Sequence, residues 1–325
     1  MLVLSAAEVA SLLDLDALAD ALQAAMAELS AGHVSAPPRV AALVPGRDAM
    51  LAAMPAYLPA AGALTAKLVS LFPQNQDCAT HHALICCFDP ATGAPVAVID
   101  GTYVTAARTA AGSAVATRLL ARPGASRVTV IGTGVQARAH ARALARLPEV
   151  RTVQIAGRDQ SKARALAGEL VTAGVPAQAL ASVEDAVRSA DVVCAATHAA
   201  APVLRREWLR PGTHVNSVGY NNSGEGEVDS ATIHDALVVV ESRAAALAPY
   251  PAGAVELLRA VEYHAIDASR VVEVGEVAAG TVRGRAGDTQ LTLYKSVGVA
   301  VQDAAAAALV LAAARERGAG THVPV

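Results

Sequence analysis

The pattern of apolar and polar residues divides the chain into a first region of short strand-like runs and a second of alternating strands and helices. Residues 5–30 carry apolar positions at helical spacing, and Ser5 followed by Glu8 predicts a capping box at the start. Five apolar or alternating runs follow, separated by turn residues, and they predict an antiparallel sheet. These runs are 40–44, 49–54, 64–72, 83–88 and 96–100.

The pattern turns helical over residues 105–121, and strands and helices then alternate. The predicted strands are 128–131, 152–156, 191–196, 214–218 and 236–241, and the helices between them are 136–147, 161–172 and 182–188. Such alternation is typical of an α/β fold with a doubly wound parallel sheet of Rossmann type. The last segment, 288–317, is predicted to be helical and to return to the first domain. We therefore expect an α+β domain of residues 1–115 plus 300–325, and a dinucleotide-binding domain of residues 116–299.

A glycine-rich turn between the strand at 128–131 and the following helix carries the first chemical signal. Its sequence is Gly132-Thr133-Gly134-Val135-Gln136-Ala137, which has the G-x-G-x-x-A pattern of dinucleotide-binding loops. Gly132 permits the tight turn, Gly134 lets the backbone approach a pyrophosphate, and Ala137 allows close packing of helix on strand. The helix N-terminus then offers its N–H groups and dipole to the phosphates.

Composition narrows the class of protein. The 325 residues are 54% hydrophobic with a net charge of -3, so no basic surface indicates nucleic acid. The four cysteines, Cys78, Cys86, Cys87 and Cys194, lack the spacing of a metal site and indicate reduced thiols, so we expect no metal. The acidic N-terminus is a poor signal peptide, and residues 304–314 are too short to cross a membrane. We expect a soluble cytoplasmic protein with no nucleic-acid or membrane partner.

Residues after the second strand bear on which dinucleotide binds. The strand ends Ala156-Gly157-Arg158-Asp159, and Gly157 has no side chain to accept a bond from the adenosine ribose. The Arg158 guanidinium suits a 2′-phosphate, which favours NADP(H). Asp159 could instead serve the ribose, so NAD(H) stays open.

Three cations in apolar surroundings are candidates for the chemistry. Lys67 lies within a strand-like run, Arg39 follows Pro37-Pro38, and Arg108 begins a helix among Ala and Thr residues. A half-buried lysine with a lowered pKa can act as a general acid or base, and the three cations together suit a small carboxylate substrate. The alternative for each is a surface side chain whose charged end reaches water.

Several motifs in order resemble those of the ornithine cyclodeaminase/μ-crystallin family over nearly the whole chain. They are LTAKLVSLFPQN from Leu64, Met54 to Tyr57, Phe88-Asp89-Pro90, Thr105 to Ala111, the glycine loop, and TLYKSVG from Thr292. The resemblance implies a homodimer that uses NAD(P) on a small amino or imino acid and dimerises through its substrate domains. It also implies that Arg39, Met54 and Arg108 bind substrate and that Lys67 lies beside the reacting C–N centre. Thr109 and Lys295, with the loop residues Gly132, Thr133, Gly134, Val135 and Gln136, are then expected to contact the cofactor.

One position departs from the members of that family that cyclise ornithine. Where those members carry an aspartate in the loop after Gly219, this chain has Asn221. An amide is not a general base near neutral pH and forms no ion pair with the distal amine of ornithine. We therefore hypothesise that ornithine cyclisation is absent or weak, and that the protein reduces a preformed cyclic imino acid, a ketimine of the Δ1-pyrroline-2-carboxylate type, with NAD(P)H. Lys67 then protonates or polarises the imine nitrogen.

Three alternatives remain from the sequence. The first is ornithine cyclodeaminase, which makes proline and ammonia from ornithine. The second is an alanine-type amino-acid dehydrogenase. The third is a binding protein that keeps the nucleotide fold without turnover, against which Lys67, Arg39 and Arg108 together argue.

Overall fold

The computed structural model describes residues 1–219 and 224–324 of the chain. The chain divides into two compact units, residues 1–108 with 298–325 and residues 109–297. Each unit has its own sheet, one of seven strands and one of eight.

The first unit begins with a short strand, two helices and five further strands. The Ser5–Glu8 capping box is present, and it starts the first of the two helices, whereas Asp14 caps the second. In chain order the elements are β1 (Leu2–Leu4), α1 (Ala6–Leu12), α2 (Leu15–Ser30), β2 (Val40–Val44), β3 (Ala49–Leu58), β4 (Ala63–Leu71), β5 (His81–Phe88), β6 (Pro95–Asp100) and α3 (Gly101–Leu120). The unit boundary after Arg108 and the boundary predicted after residue 115 both fall inside α3.

The second unit continues with alternating strands and helices. Its strands are two to five residues long. In chain order the elements are β7 (Arg127–Ile131), α4 (Val135–Leu144), β8 (Thr152–Ala156), α5 (Gln160–Thr172), β9 (Ala177–Ala179), α6 (Val183–Ser189), β10 (Val192–Ala195), β11 (His214–Ser217), α7 (Ser230–Asp235), β12 (Leu237–Val240), α8 (Arg243–Ala246), α9 (Val255–Glu262), β13 (Val272–Glu273), α10 (Val274–Ala278) and β14 (Thr292–Lys295).

The prediction of one helical segment over residues 288–317 is wrong in its first part. The chain forms β14 there, and the helix α11 (Ala300–Arg317) begins only afterwards, before a last short strand, β15 (Thr321–His322). All four residues of β14 are buried, and the strand lies between β11 and β12. A four-residue strand buried on both faces shows no alternation, so its sequence pattern cannot be told from that of a helix.

The sheet of the first unit has the order β15-β1-β6-β5-β4-β3-β2. The strands from β2 to β6 pair antiparallel with their sequence neighbours, as the alternating runs predict. The long helix α11 packs on β3 and β4 and against α2, so one face of the sheet is covered. The core of this unit lies under α2 and α11, with Leu18, Leu22 and Ile85 fully buried.

The second sheet has the order β13-β12-β14-β11-β10-β7-β8-β9, and its strands pair in parallel. The chain leaves β7 through β8 and β9 on one side and returns to β10 on the other. The carboxyl end of β7 is therefore a topological switch point, where open α/β sheets bind their ligands. Buried clusters on the sheet include one around Val128, Ile155 and Leu166 and another around Val193, Leu257 and Leu293.

Candidate active site

Lys67 lies in the middle of β4 and is only 2% exposed. Strand alternation places it on the same face as Thr65 and Val69, and α11 packs over that strand. Met54 of β3 lies directly opposite Lys67 in the antiparallel register and is also buried. A lysine is seldom buried without an opposite charge nearby, because its ammonium group then loses its hydration. The residue that supplies this opposite charge is therefore part of the site.

Asp303, in the first turn of α11, is that partner. Its Oδ2 lies 2.7 Å from the Lys67 Nζ, and its carboxylate is 1% exposed. Sequence reasoning missed this residue. One signal was available. Asp303 is the single acidic residue in the apolar run from Val297 to Ala314, and a carboxylate in such a run is expected to be buried with a partner.

Arg108 joins the same carboxylate from α3. Its Nε lies 3.3 Å from the Asp303 Oδ1, and its Nη1 donates to the Oε1 of Gln302 at 2.8 Å. Arg39, which is half-buried, donates through Nη2 to the carbonyl oxygen of Gly298 at 2.9 Å. The structure therefore brings Lys67 and Arg108 together on one carboxylate, and it anchors Arg39 just before the start of α11.

The electrostatics of this cluster follow from burial and charge. Desolvation lowers the pKa of Lys67 to about 8; the Asp303 carboxylate opposes that change, and the nearby Arg108 and Arg39 add to it. Desolvation also lowers the pKa of His81, at the start of β5, to about 4, with Lys67 and Arg108 contributing. His81 is therefore neutral near pH 7, whereas Lys67 is mostly protonated.

The charges of the cluster favour an anionic ligand. Two cations, Lys67 and Arg108, share one carboxylate, Asp303, which leaves an excess of positive charge in a region of low dielectric, and the charge of Arg39 also acts on Lys67. A carboxylate ligand offsets part of that excess, and two guanidinium groups match its geometry. The arrangement can hold a small carboxylate and present it with a proton donor whose pKa is about 8.

In the second unit, the glycine loop lies between β7 and α4 at the switch point. Gly132 has a φ of +126°, and a Cβ there would lie 2.5 Å from the carbonyl oxygen of Ala196. Gly134 is the N-cap of α4, and the space where its Cβ would stand is open to 4 Å. Ala137, in the first turn of α4, is fully buried. Open space, exposed helix N–H groups and a bare backbone fit the pyrophosphate of a dinucleotide.

The other residues predicted to contact the cofactor have different surroundings. Thr133 and Gln136 are half-buried in the loop, Val135 is exposed, and Thr109 is buried in α3. Arg158 is exposed directly after β8. The Asp159 Oδ1 accepts from the backbone N–H groups of Ser161 and Lys162, so it caps α5, and these bonds lower its pKa. Asp159 therefore already has a structural role at the tip where the ribose is expected.

Lys295, predicted to contact the cofactor, is buried at the end of β14. Its Nζ lies 2.7 Å from the Glu256 Oε1 and donates to the Gly219 carbonyl at 2.8 Å and to the Ser217 Oγ at 3.2 Å. The ammonium group is therefore bound by protein atoms, and a direct cofactor contact stays a prediction that these distances do not favour. Asn221, the predicted catalytic position in the adjoining loop, lies outside the described residues.

Glu227 is another buried carboxyl residue to which sequence reasoning assigned no role. Its Oε2 accepts from the Gly219 N–H at 2.7 Å and from the Ser217 Oγ at 3.2 Å, and its Oε1 accepts from the Thr197 N–H. These bonds tie together the carboxyl ends of β10 and β11. Glu227 and Lys295 therefore both hold Gly219, the last described residue before the Asn221 loop.

The fold and these groups define a class of protein, an α/β protein with a Rossmann-type domain, whose glycine loop fits a dinucleotide, and a second unit that carries a buried cationic cluster. The chain belongs to the ornithine cyclodeaminase/mu-crystallin family, whose model matches residues 1–318. The structure also contains, in the part of the chain that it describes, no helix long and apolar enough to cross a membrane.

Relatives and solved structures resemble the chain over most of its length. Ketimine reductase mu-crystallin of Mus musculus is 37% identical over 294 residues, which is 89% of each chain. Thermococcus litoralis Δ1-pyrroline-2-carboxylate reductase, solved in complex with NADH and L-proline, is 33% identical with a TM-score of 0.94, covering 99% of this chain and 100% of that one. An archaeal alanine dehydrogenase dimer with bound NAD is 32% identical with a TM-score of 0.92, covering 100% of this chain and 99% of that one.

Proposed function

We propose that this protein is an NAD(P)H-dependent reductase of a cyclic imino acid, of the Δ1-pyrroline-2-carboxylate type. Two of the relatives reported above are named as reductases of ketimines or of that compound. The observation that carries the proposal is the buried Lys67–Asp303–Arg108 cluster, since it combines a carboxylate site with a proton donor. A protein that only binds nucleotide has no need of a lysine 2% exposed in its core.

Each cation has a role in that reaction. NAD(P)H, imino acid and one proton give NAD(P)+ and the cyclic amino acid, and the bound cofactor supplies the hydride. Arg108 and Arg39 bind the substrate carboxylate and fix the orientation of the ring. Lys67 donates a proton to the imine nitrogen, which makes the α-carbon a better hydride acceptor. Its pKa of about 8 keeps it charged at pH 7 and still able to release the proton.

Ornithine cyclisation is the reaction that this chain is least equipped to perform. Asn221 replaces the aspartate that the resemblance places on the distal amine. An amide neither accepts a proton near neutral pH nor pairs with an ammonium group. We therefore propose that ornithine is a poor substrate.

The choice of cofactor rests on the residues after β8. Arg158 is exposed and near the expected 2′ position, which supports NADP(H). Asp159 is bound as the cap of α5, which leaves its carboxylate less free to accept a ribose hydroxyl. Structures similar to this chain contain NADH or NAD, so we propose NADP(H) as the favoured cofactor with NAD(H) also accepted.

We propose that the protein is a homodimer built through the first sheet. The face opposite Lys67 exposes leucines on three adjacent strands, Leu51 at 50%, Leu68 at 38% and Leu84 at 51%, and Leu68 pairs directly with Leu84. Apolar patches of this kind mark interfaces. Leu68→Glu should yield monomers in light scattering, whereas Val171→Glu, at an exposed valine of α5, should leave the dimer intact. Monomeric wild-type protein would contradict the proposal.

A cytoplasmic location agrees with the thiol chemistry. The four cysteines are free, and Cys87 and Cys194 are buried, which is typical of the reduced thiols of proteins in a reducing compartment. We propose this location on that ground, and fractionation of cells expressing the tagged protein tests it.

A substrate panel tests the function. Purified protein is mixed with NADPH or NADH and with Δ1-pyrroline-2-carboxylate, or with pyruvate plus ammonia, and nucleotide absorbance is followed. L-ornithine with NAD+ is assayed for proline and ammonia. We expect rapid oxidation of NADPH with the cyclic imine. Faster turnover of pyruvate would indicate an alanine dehydrogenase, and rapid proline formation from ornithine would overturn the proposal.

A further inference from the structure

We propose that Asp303 is a positioning residue of the active site, which fixes the Lys67 ammonium and the Arg108 guanidinium relative to each other. Its role in catalysis rests on the proposed function, because it acts through two groups assigned to proton donation and carboxylate binding. No substrate contact is assigned to Asp303 itself.

The geometry supports one carboxylate that serves two cations. The Asp303 Oδ2 lies 2.7 Å from the Lys67 Nζ, and the Oδ1 lies 3.3 Å from the Arg108 Nε, so each oxygen is directed to a different cation. The three side chains come from α11, β4 and α3 and are all buried. Removing one member of such a cluster leaves uncompensated charge in a medium of low dielectric.

The neighbouring Gln302 restricts the same guanidinium. Its Oε1 accepts from the Arg108 Nη1 at 2.8 Å, so two successive residues of the first turn of α11 hold Arg108 at two nitrogens. The guanidinium is therefore hydrogen-bonded at Nη1 and lies within ion-pair distance of Asp303 at Nε. The first turn of α11 thus determines where the substrate carboxylate binds relative to the Lys67 proton.

The charges around Lys67 give Asp303 a second, measurable effect. Among the residues that the structure describes, the charged and titratable groups that act on Lys67 are Asp303 from α11, Arg108 from α3, Arg39 before β2 and His81 from β5. Of these, Asp303 alone favours the ammonium form, because desolvation and both arginines oppose it and His81 is neutral near pH 7. Loss of the carboxylate therefore lowers the pKa of Lys67 below its present value of about 8.

The direction of this pKa change predicts how the pH dependence of imine reduction changes. If Lys67 donates a proton, kcat/KM for imine reduction is highest while Lys67 is protonated and falls as the pH rises through its pKa. In wild-type protein this alkaline limb should lie near pH 8. In Asp303→Asn it should move to lower pH by about one to three pH units, the range for losing an opposite charge at this distance. Asp303→Glu, which keeps the charge, should restore the limb toward its wild-type position.

A readout independent of activity is available because the chain has only three lysines, Lys67, Lys162 and Lys295. Protein labelled with 13C at the lysine ε-carbon should give three resonances, which Lys162→Arg and Lys67→Arg assign. We expect the Lys67 resonance to titrate near pH 8 in wild-type protein and at lower pH, by about one to three pH units, in Asp303→Asn.

Asp191→Asn is the matched control. Asp191 is also a buried carboxylate, held by Arg122 and Arg210, but it lies in the second unit and outside the candidate site. The Asp191→Asn variant should have a lower melting temperature than the wild type. Its Lys67 titration and the alkaline limb of its pH profile should be unchanged. A general loss of stability therefore does not reproduce the effect expected at Asp303.

The outcomes separate this proposal from the proposed function. A folded Asp303→Asn protein with an unchanged Lys67 titration would overturn the role of Asp303. If that variant does not fold, a wild-type midpoint below about pH 6 would overturn it equally, since the carboxylate would then fail to hold the charge. A shifted titration without imine reduction by wild-type protein would support the role of Asp303 and contradict the proposed function.

Discussion

The two candidate binding regions of this protein are assembled from the chain in opposite ways. The glycine loop of the second unit comes from one stretch of consecutive residues between β7 and α4. The cationic cluster of the first unit combines Arg39, Lys67, Arg108 and Asp303, which are far apart in sequence and come from both ends of the chain. The loop is defined by backbone conformation, whereas the cluster is defined by side-chain charge and burial.

This difference determines how each region responds to amino-acid substitution. A dinucleotide loop acts through N–H groups and open space, so any side chain that fills the space removes its function. The cluster acts through charges that balance one another, so a single substitution changes the remaining members as well. Substitutions in the two regions should therefore separate cofactor binding from the chemistry.

The largest effect is expected at the proton donor. Lys67→Met keeps the length and apolar part of the side chain and removes the charge. We expect kcat/KM for imine reduction to fall about 1,000-fold, as for loss of a general acid, with NADPH binding retained in a fluorescence titration. Lys162→Met, at an exposed lysine of α5, is the control and should leave activity unchanged. Activity retained by Lys67→Met would remove Lys67 from the mechanism.

The next effect should appear at the glycine loop and concern the cofactor. Gly134→Val places a side chain in the open space that the pyrophosphate needs. Loss of hydrogen bonds to a charged group, at about 1.5–3 kcal/mol each, should weaken NADPH binding about 100-fold, measured by calorimetry. Gly168→Val in α5 is matched, because no atom lies within 4 Å there either, and it should bind NADPH as wild-type does. Normal binding by Gly134→Val would place the site elsewhere.

A smaller effect is expected for a conservative change in the cluster. Arg108→Lys keeps the charge and loses the planar guanidinium held by Asp303 and Gln302. We expect KM for the imino acid to rise about 10- to 100-fold, with a smaller change in kcat, because a lysine cannot make the paired contact with a carboxylate. Arg118→Lys, at an exposed position of the same helix, serves as the control in steady-state assays. An unchanged KM would mean that Arg108 does not touch the substrate.

The smallest effect concerns which cofactor is preferred. Arg158→Ala should raise KM for NADPH about tenfold, equivalent to the loss of about 1.4 kcal/mol, and leave KM for NADH unchanged. Arg151→Ala, an exposed arginine before β8, should alter neither. Equal changes for both cofactors would show that Arg158 does not read the 2′-phosphate.

Much of the fold follows from local sequence, and the errors have a physical cause. The Ser5–Glu8 capping box, the antiparallel strands β2 to β6 and the turn at Gly132 were all predictable, because each depends on residues close in sequence. The strand β14 was predicted as helix, since four residues buried on both faces carry no alternating pattern. The short strands β1 and β15 were not predicted, because they form through long-range pairing. They pair with each other, and β1 also pairs with β6.

The candidate site shows the same division. Lys67, Arg39 and Arg108 stand out in sequence as cations among apolar residues, whereas Asp303 and Gln302 needed the packing of α11 on β4 to become visible. The structure also adds the protein partners of Lys295, which are Glu256 and the Gly219 carbonyl, while its contact with the cofactor stays a prediction.

The sequence by itself determined the glycine loop, the antiparallel strands β2 to β6, the alternation of strands and helices after β7 and the identity of the three cations, because these depend on residue type and near neighbours. The tertiary structure decided which carboxylate meets those cations. An ion pair between residues 67 and 303 leaves no periodic pattern along the chain, and it forms only because the register of β4 and the packing of α11 bring both side chains into one buried site. The charge and pKa of Lys67, on which the proposed chemistry depends, follow from that packing.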